Sequence, residues 1–159
     1  MKNILKFVAF AVFAAFASTS LLAQSNPLVG TWKLNAARSK SDPTPVPKSM
    51  TRTIEETSDG TKYTMKGEAA DGTPISYGFT VKFDGKDYPV TGTMPGGADS
   101  ISIKKVDANH YEGISKKAGK EIATSKVEIS KDGKVATVTS KGKTADGKPT
   151  HSVSVYDKQ

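Results

Sequence analysis

The chain has 159 residues, no cysteine, two histidines and a formal charge of +7, with 23 Lys and Arg against 16 Asp and Glu. Without Cys it carries neither a disulfide nor a cysteine-linked lipid, so its stability must come from secondary structure and one core. Nucleic acid is a poor partner for it, because Arg38 and Arg52 are the only arginines and the aromatics are not clustered.

The N-terminus opens with Lys2 and Lys6, runs apolar from Phe7 to Ala17, and reaches small residues before a plausible cut after Ala23. That is the layout of an export signal over 1–23, too short in its apolar part to span a bilayer. The expectation is an exported protein, periplasmic or secreted, whose mature part, 24–159, is one domain without a transmembrane segment. Its lysines are spread between apolar or Thr positions, as on a solvated outer sheet face that discourages edge pairing. A loose attraction to anionic envelope material is the sharper reading of the same charge.

The first element after the signal is Leu28-Val29-Gly30-Thr31-Trp32-Lys33-Leu34-Asn35, which places Leu28, Gly30, Trp32 and Leu34 on one face of a strand. A small residue two places before an inward Trp lets another segment pass close to the indole, as at the closing end of a barrel. Next, Pro43, Pro45 and Pro47 on alternate positions exclude a helix and predict a stiff loop over one end.

From Met50 onward, Asp59-Gly60, Asp71-Gly72, Asp84-Gly85, Asp132-Gly133 and Asp146-Gly147 recur at the short intervals of antiparallel hairpins. Strands are predicted near 28–35, 50–57, 61–68, 75–83, 86–92, 99–106, 110–116, 121–130, 134–141 and 150–157. The cleanest alternation is Ile75, Tyr77, Phe79, Val81 and Phe83, expected to form a central strand hairpin-linked on both sides. Other strands set Met50 with Ile54, Tyr63 with Met65, Ile101 with Ile103, Val127 with Ile129, and Val153 with Val155 on their inner faces. An aliphatic face on every strand and a polar face opposite suit a closed sheet, since closure removes edges. The expected fold is all-β, an antiparallel up-and-down barrel of eight to ten strands.

Gly30-Thr31-Trp32-Lys33-Leu34 resembles the first strand of the calycins, the lipocalins and fatty-acid-binding proteins, whose Gly-x-Trp opens such a barrel. The end of the chain, with Tyr156, Asp157 and Lys158, resembles the last strand of the fatty-acid-binding proteins. Ser154 stands where those proteins carry their carboxylate-gripping Arg, and the helical lid of that family has no counterpart. The late Arg that packs on the Trp of lipocalins is also missing, and Lys158 or Lys148 replaces it only poorly. From Gly30 through the stretch 84–92 to Gln159 the chain is similar to a group of small exported bacterial lipocalin-like proteins of unassigned role. That resemblance implies a lipocalin-like fold, with Gly30, Trp32 and Tyr156 as structural positions.

Catalytic patterns are wanting. No Ser sits in a Gly-x-Ser-x-Gly elbow, most acids lie beside turn glycines, and no phosphate loop occurs. His110 with Glu112 and the distant His151 do not add up to a metal site, and no cofactor is implied. Three classes of function remain in order: binding of a small apolar or amphiphilic ligand, a protein-binding or protease-inhibitor-like role, and an unrecognised enzyme. For the first, parity directs Tyr63, Tyr77, Phe79 and Phe83 inward, with Arg52 as polar anchor and His151 as a further inward polar group. Ala, Ser, Thr and Gly hold many inward positions after residue 110, which favours unfilled interior space over a solid core.

Overall fold

A computed structural model describes residues 26–144 and 147–159. The segment 1–23 read as an export signal and the Asp146 half of the last predicted turn lie outside the described residues. The strands are β1 (Gly30–Leu34), β2 (Lys40–Asp42), β3 (Ser49–Thr57), β4 (Gly60–Glu68), β5 (Pro74–Val81) and β6 (Asp84–Pro89). They continue with β7 (Thr91–Gly92), β8 (Ser100–Lys105), β9 (His110–Lys117), β10 (Lys120–Ile129), β11 (Val135–Lys143) and β12 (Pro149–Lys158). All pairings are antiparallel in one sheet of order β6-β8-β9-β10-β11-β12-β1-β3-β4-β5-β7, with β2 also on β12. The chain is therefore the expected all-β up-and-down antiparallel sheet, curled into a nearly closed barrel, with two short strands added to ten long ones. The glycines at 60, 72, 85 and 133 all have positive φ, which is why Asp-Gly marked the turns correctly.

The seam differs from expectation. The predicted strand 86–92 is broken at Val90, with β6 pairing β8 and β7 pairing β5. Accordingly β5 is not hairpin-bonded to β6; it stands beside the opening of the sheet, and only Tyr77 and Gly78 pair with β7. Pro89 explains the break, because it lacks the N–H that a continuing ladder would need. Phe83 falls beyond the end of β5 in a left-handed turn (φ 55) and packs its ring 5.2 Å from that of Tyr111.

Pro43, Pro45 and Pro47 lie in a loop as expected, but the residues just before them do not. After β1, which pairs β12 at Tyr156 to Lys158, the chain makes one 3-10 turn over Ala36–Arg38 and returns as β2 to the same edge at His151 to Val153. The first strand thus resumes after an interruption. Ser39 bridges the missing rung: its hydroxyl donates to Asn35 O at 2.7 Å and accepts from Val155 N at 2.9 Å.

One end of the barrel is filled. Trp32, 1% exposed, lies against a cluster that includes Leu28, Ile54, Val81, Tyr111 and Ile129. Its Nε1 donates to Leu28 O at 2.7 Å, so the buried indole leaves no unpaired donor. The Lys158 ammonium stands 5.0 Å from the indole centroid and donates to Pro27 O at 3.2 Å. Lys158 therefore takes the place over Trp32 that the sequence left without a suitable occupant. Gly30 makes this possible: with φ 131, a Cβ there would come within 2.8 Å of Lys158 Cε. What passes close to the Trp strand is thus the Lys158 stem.

Trp32→Ala empties this end and is expected to destabilise the protein by roughly 3–5 kcal/mol, the range for deleting a large core aromatic. Urea unfolding measures it; a loss under about 1 kcal/mol would show that the indole does not hold the end closed.

Candidate functional site

The interior divides into two halves by side-chain size. Cross-strand register sets Trp32, Arg52, Met65 and Tyr77 in one inward row across β1, β3, β4 and β5. The next row, toward the closed end, is Gly30, Ile54, Tyr63 and Phe79. Tyr63 stacks on Phe79 with centroids 4.7 Å apart, and both are buried. Burial pushes the Tyr63 phenol well above its ordinary pKa, partly opposed by the Arg52 charge, and burial raises Tyr77 likewise.

The opposite wall carries small side chains. Gly113, Ser125, Ser140 and Ser152 share one inward row across β9 to β12, and Ser115, Ala123, Gly142 and Thr150 form the next. The face is fixed by Gly113, whose missing Cβ would meet Ser125 Oγ at 2.7 Å and Ile103 Cγ1 at 3.8 Å, with Ile103 in the core. Ser115, Ser125, Ser140, Ser152 and Ser154 are all half-buried rather than buried. These serines are therefore partly accessible to solvent and not sealed in the core.

Arg52 stands between the halves. Its Cζ lies 4.2 Å from the Tyr156 ring centroid, so the guanidinium crosses from β3 toward β12 on the inner face. It keeps partial exposure, while its Nε is buried and has no hydrogen-bond partner. Among the described residues no carboxylate forms an ion pair with it. Burial works against its charge, yet Tyr156, Tyr77 and Tyr63, with a side-chain hydrogen bond to Tyr156, outweigh that and hold its pKa above the ordinary arginine value. Arg52 is thus a cation between the packed aromatic layer and the half-buried serines, with an unused donor at Nε.

The structure gathers the expected ligand residues unevenly. Arg52 and Tyr77 share a row at the lumen boundary, and Tyr63 and Phe79 form the packed layer beneath them. Phe83 lies further out on Tyr111. His151 is not in the group: it is exposed, registers with Asp42 of β2, and has the parity opposite to inward Tyr156. Val153 and Val155 share that outer face, where the Ala36–Arg38 turn and β2 lie against β12, so their apolar alternation pointed to the wrong side. Sequence reading missed the serines as individual groups; strand parity held the signal.

Two grooves lie on the outer surface. The larger, about 650 Å³, runs over β8 to β11 past Lys104, Glu112, Ile114, Lys126 and Lys141 and is bordered as well by Gly113 and Ser125; the other lies over β3 and β4. None of the expected ligand residues lines either groove. Across the larger one Lys126 pairs with Glu112 at 3.3 Å, an exposed contact of little energetic weight. Among the described residues no three His, Cys, Asp or Glu side chains gather as a metal site, and no helix is long and apolar enough to cross a membrane.

No family model matches the chain, and no curated protein matches it. Among solved structures it is similar to a zebrafish ileal bile acid-binding protein complexed with cholic acid. The TM-score is 0.48 at 14% identity, over 84% of this chain and 99% of that one.

If Arg52 is held for binding and not for folding, Arg52→Met in the ligand-free protein is expected to be neutral or stabilising, because an uncompensated cation leaves the interior. Thermal and urea midpoints test this. A loss above about 2 kcal/mol would make the guanidinium a structural brace instead.

Proposed function

We propose that the protein is an exported, non-enzymatic carrier or receptor of a small amphiphilic anion, bound inside the barrel with its charged group on Arg52. The observation that carries this reading is the Arg52 side chain itself. A half-buried cation with a sealed, unpartnered Nε and no carboxylate partner is costly in the empty protein, and an anionic ligand entering the lumen would remove that cost by supplying charge-assisted hydrogen bonds. Tyr77 and Tyr156 flank the guanidinium and offer aromatic surface to the part of the ligand nearest the charge. The stacked Tyr63 and Phe79, with Phe83 and Tyr111 beyond, form a floor that stops the ligand from going deeper.

A titration with 11-(dansylamino)undecanoate, an apolar tail ending in a carboxylate, tests the proposal by fluorescence. The expected result is a micromolar Kd that Arg52→Met weakens at least about tenfold, the effect of losing one charged hydrogen bond. The corresponding primary amide of the probe should bind the wild-type protein more weakly than the acid does. A folded protein that binds no such probe would show a solid interior and give first place to the protein-binding reading.

A further inference from the structure

The serines of the β9 to β12 wall carry a consequence for what the ligand looks like. Ser115, Ser125, Ser140, Ser152 and Ser154 project inward on four adjacent strands, forming one continuous patch by register. None of their hydroxyls makes a hydrogen bond to another described residue, and none is sealed from solvent, in contrast to Arg52 Nε. Three other serine hydroxyls are engaged, with Ser39 closing the β1–β2 gap, Ser100 donating to Asp99 and Ser130 donating to Asp132, while Ser41, Ser49, Ser58, Ser76 and Ser102 are unbonded like the inward five but do not share their patch. The inward five are therefore hydroxyls left open to whatever occupies the lumen.

The facing wall has a different chemistry. Met50, Met65, Ile75, Tyr77, Ile101 and Ile103 are buried inward residues of β3, β4, β5 and β8. A lumen with an apolar wall on one side and a hydroxyl wall on the other is mismatched to a plain alkyl chain. Such a chain would cover five hydroxyls, removing their water and giving nothing back. Position adds to this. Tyr156 lies under the Arg52 guanidinium, and Ser154 and Ser152 follow it on the same face of β12, roughly 7 and 14 Å away at the rise of a strand. A ligand whose charge rests on Arg52 would run out along those hydroxyls.

We infer that the ligand is an oxygenated amphiphilic anion, with hydroxyl or carbonyl groups along the side that faces Ser125, Ser140 and Ser152 and an apolar side facing β3 to β5. This rests on the reading of Arg52 given above and adds selection for oxygen on the body of the ligand. A site that supplies hydrogen bonds to a ligand hydroxyl discriminates strongly against the analogue without it, whereas an apolar pocket gains nothing from the same hydroxyl.

The test compares stearate with 12-hydroxystearate, both below their micelle concentrations, by displacement of 11-(dansylamino)undecanoate. The wild-type protein is expected to bind the hydroxy acid about fivefold tighter or more. In the triple variant Ser125→Ala, Ser140→Ala, Ser152→Ala, checked for unchanged circular dichroism, the two acids should bind alike. Stearate binding as tightly as the hydroxy acid in wild type, with dependence on Arg52, would overturn this inference and leave the anion reading standing. A preference that persists in the triple variant would overturn it too, since the oxygen would be read elsewhere. If neither acid nor the dansyl probe binds, both readings fall together.

Discussion

The fold depends on the contact of Trp32 with the last strand. β1 lies between β12 and β3, so it ties the end of the chain to its beginning, and the indole is the large group at that junction. Lys158 covers it, Leu28 O takes its N–H, and Gly30 leaves the room that the Lys158 stem requires. Three residues within five positions therefore fix where the barrel closes and which of its ends is solid. A chain with no disulfide has only such packing to hold its termini together.

Filling one end leaves the interior asymmetric. Aromatic and branched side chains from β1, β3, β4 and β5 meet Tyr111, Val127 and Ile129 on the closed side, whereas β9 to β12 send glycine, alanine and serine into the other. Arg52 stands where the two meet. A methionine of similar length would pack there without the desolvation that the guanidinium suffers, so folding alone gives no reason for a cation at that position. The same place is where an incoming anion first meets both a positive charge and a low-dielectric surround, and there the pairing is strongest.

Much of this was legible in the sequence because the two-residue period of a strand is a strict rule. The inward assignment of Trp32, Arg52, Tyr63, Tyr77 and Phe79 follows from alternation alone, and the Asp-Gly pairs at 59–60, 71–72 and 132–133 located hairpins, whereas Asp84-Gly85 marks a turn between strands that do not pair. The failures have one cause, which is that alternation says which residues share a face but not which face is covered. On β12 the apolar set Val153 and Val155 is outside, sheltered by the resumed first strand, and the inward set is serine with Tyr156. That inversion carried His151 to the wrong side. Side-chain reach was only half legible: Lys158 was named beside Lys148 as a poor cover for Trp32, and nothing local told that its stem reaches the indole past Gly30. The break at Val90 had a local signal in Pro89, which a continuous 86–92 strand passed over.

The central claim is that Arg52 is a cation without a carboxylate partner, kept for an anionic ligand. Its most direct measurement is the side-chain Nε–H resonance of Arg52, assigned by comparison with Arg52→Met, in nitrogen-15 spectra of the folded protein during titration with 12-hydroxystearate. With only two arginines in the chain, the other being exposed Arg38, the assignment is simple. The account predicts a large shift of the Arg52 signal and slowed exchange with water on binding, with Arg38 unchanged and little response to the uncharged alcohol of the same chain length. An Arg52 resonance that stays in place while the acid binds would contradict it.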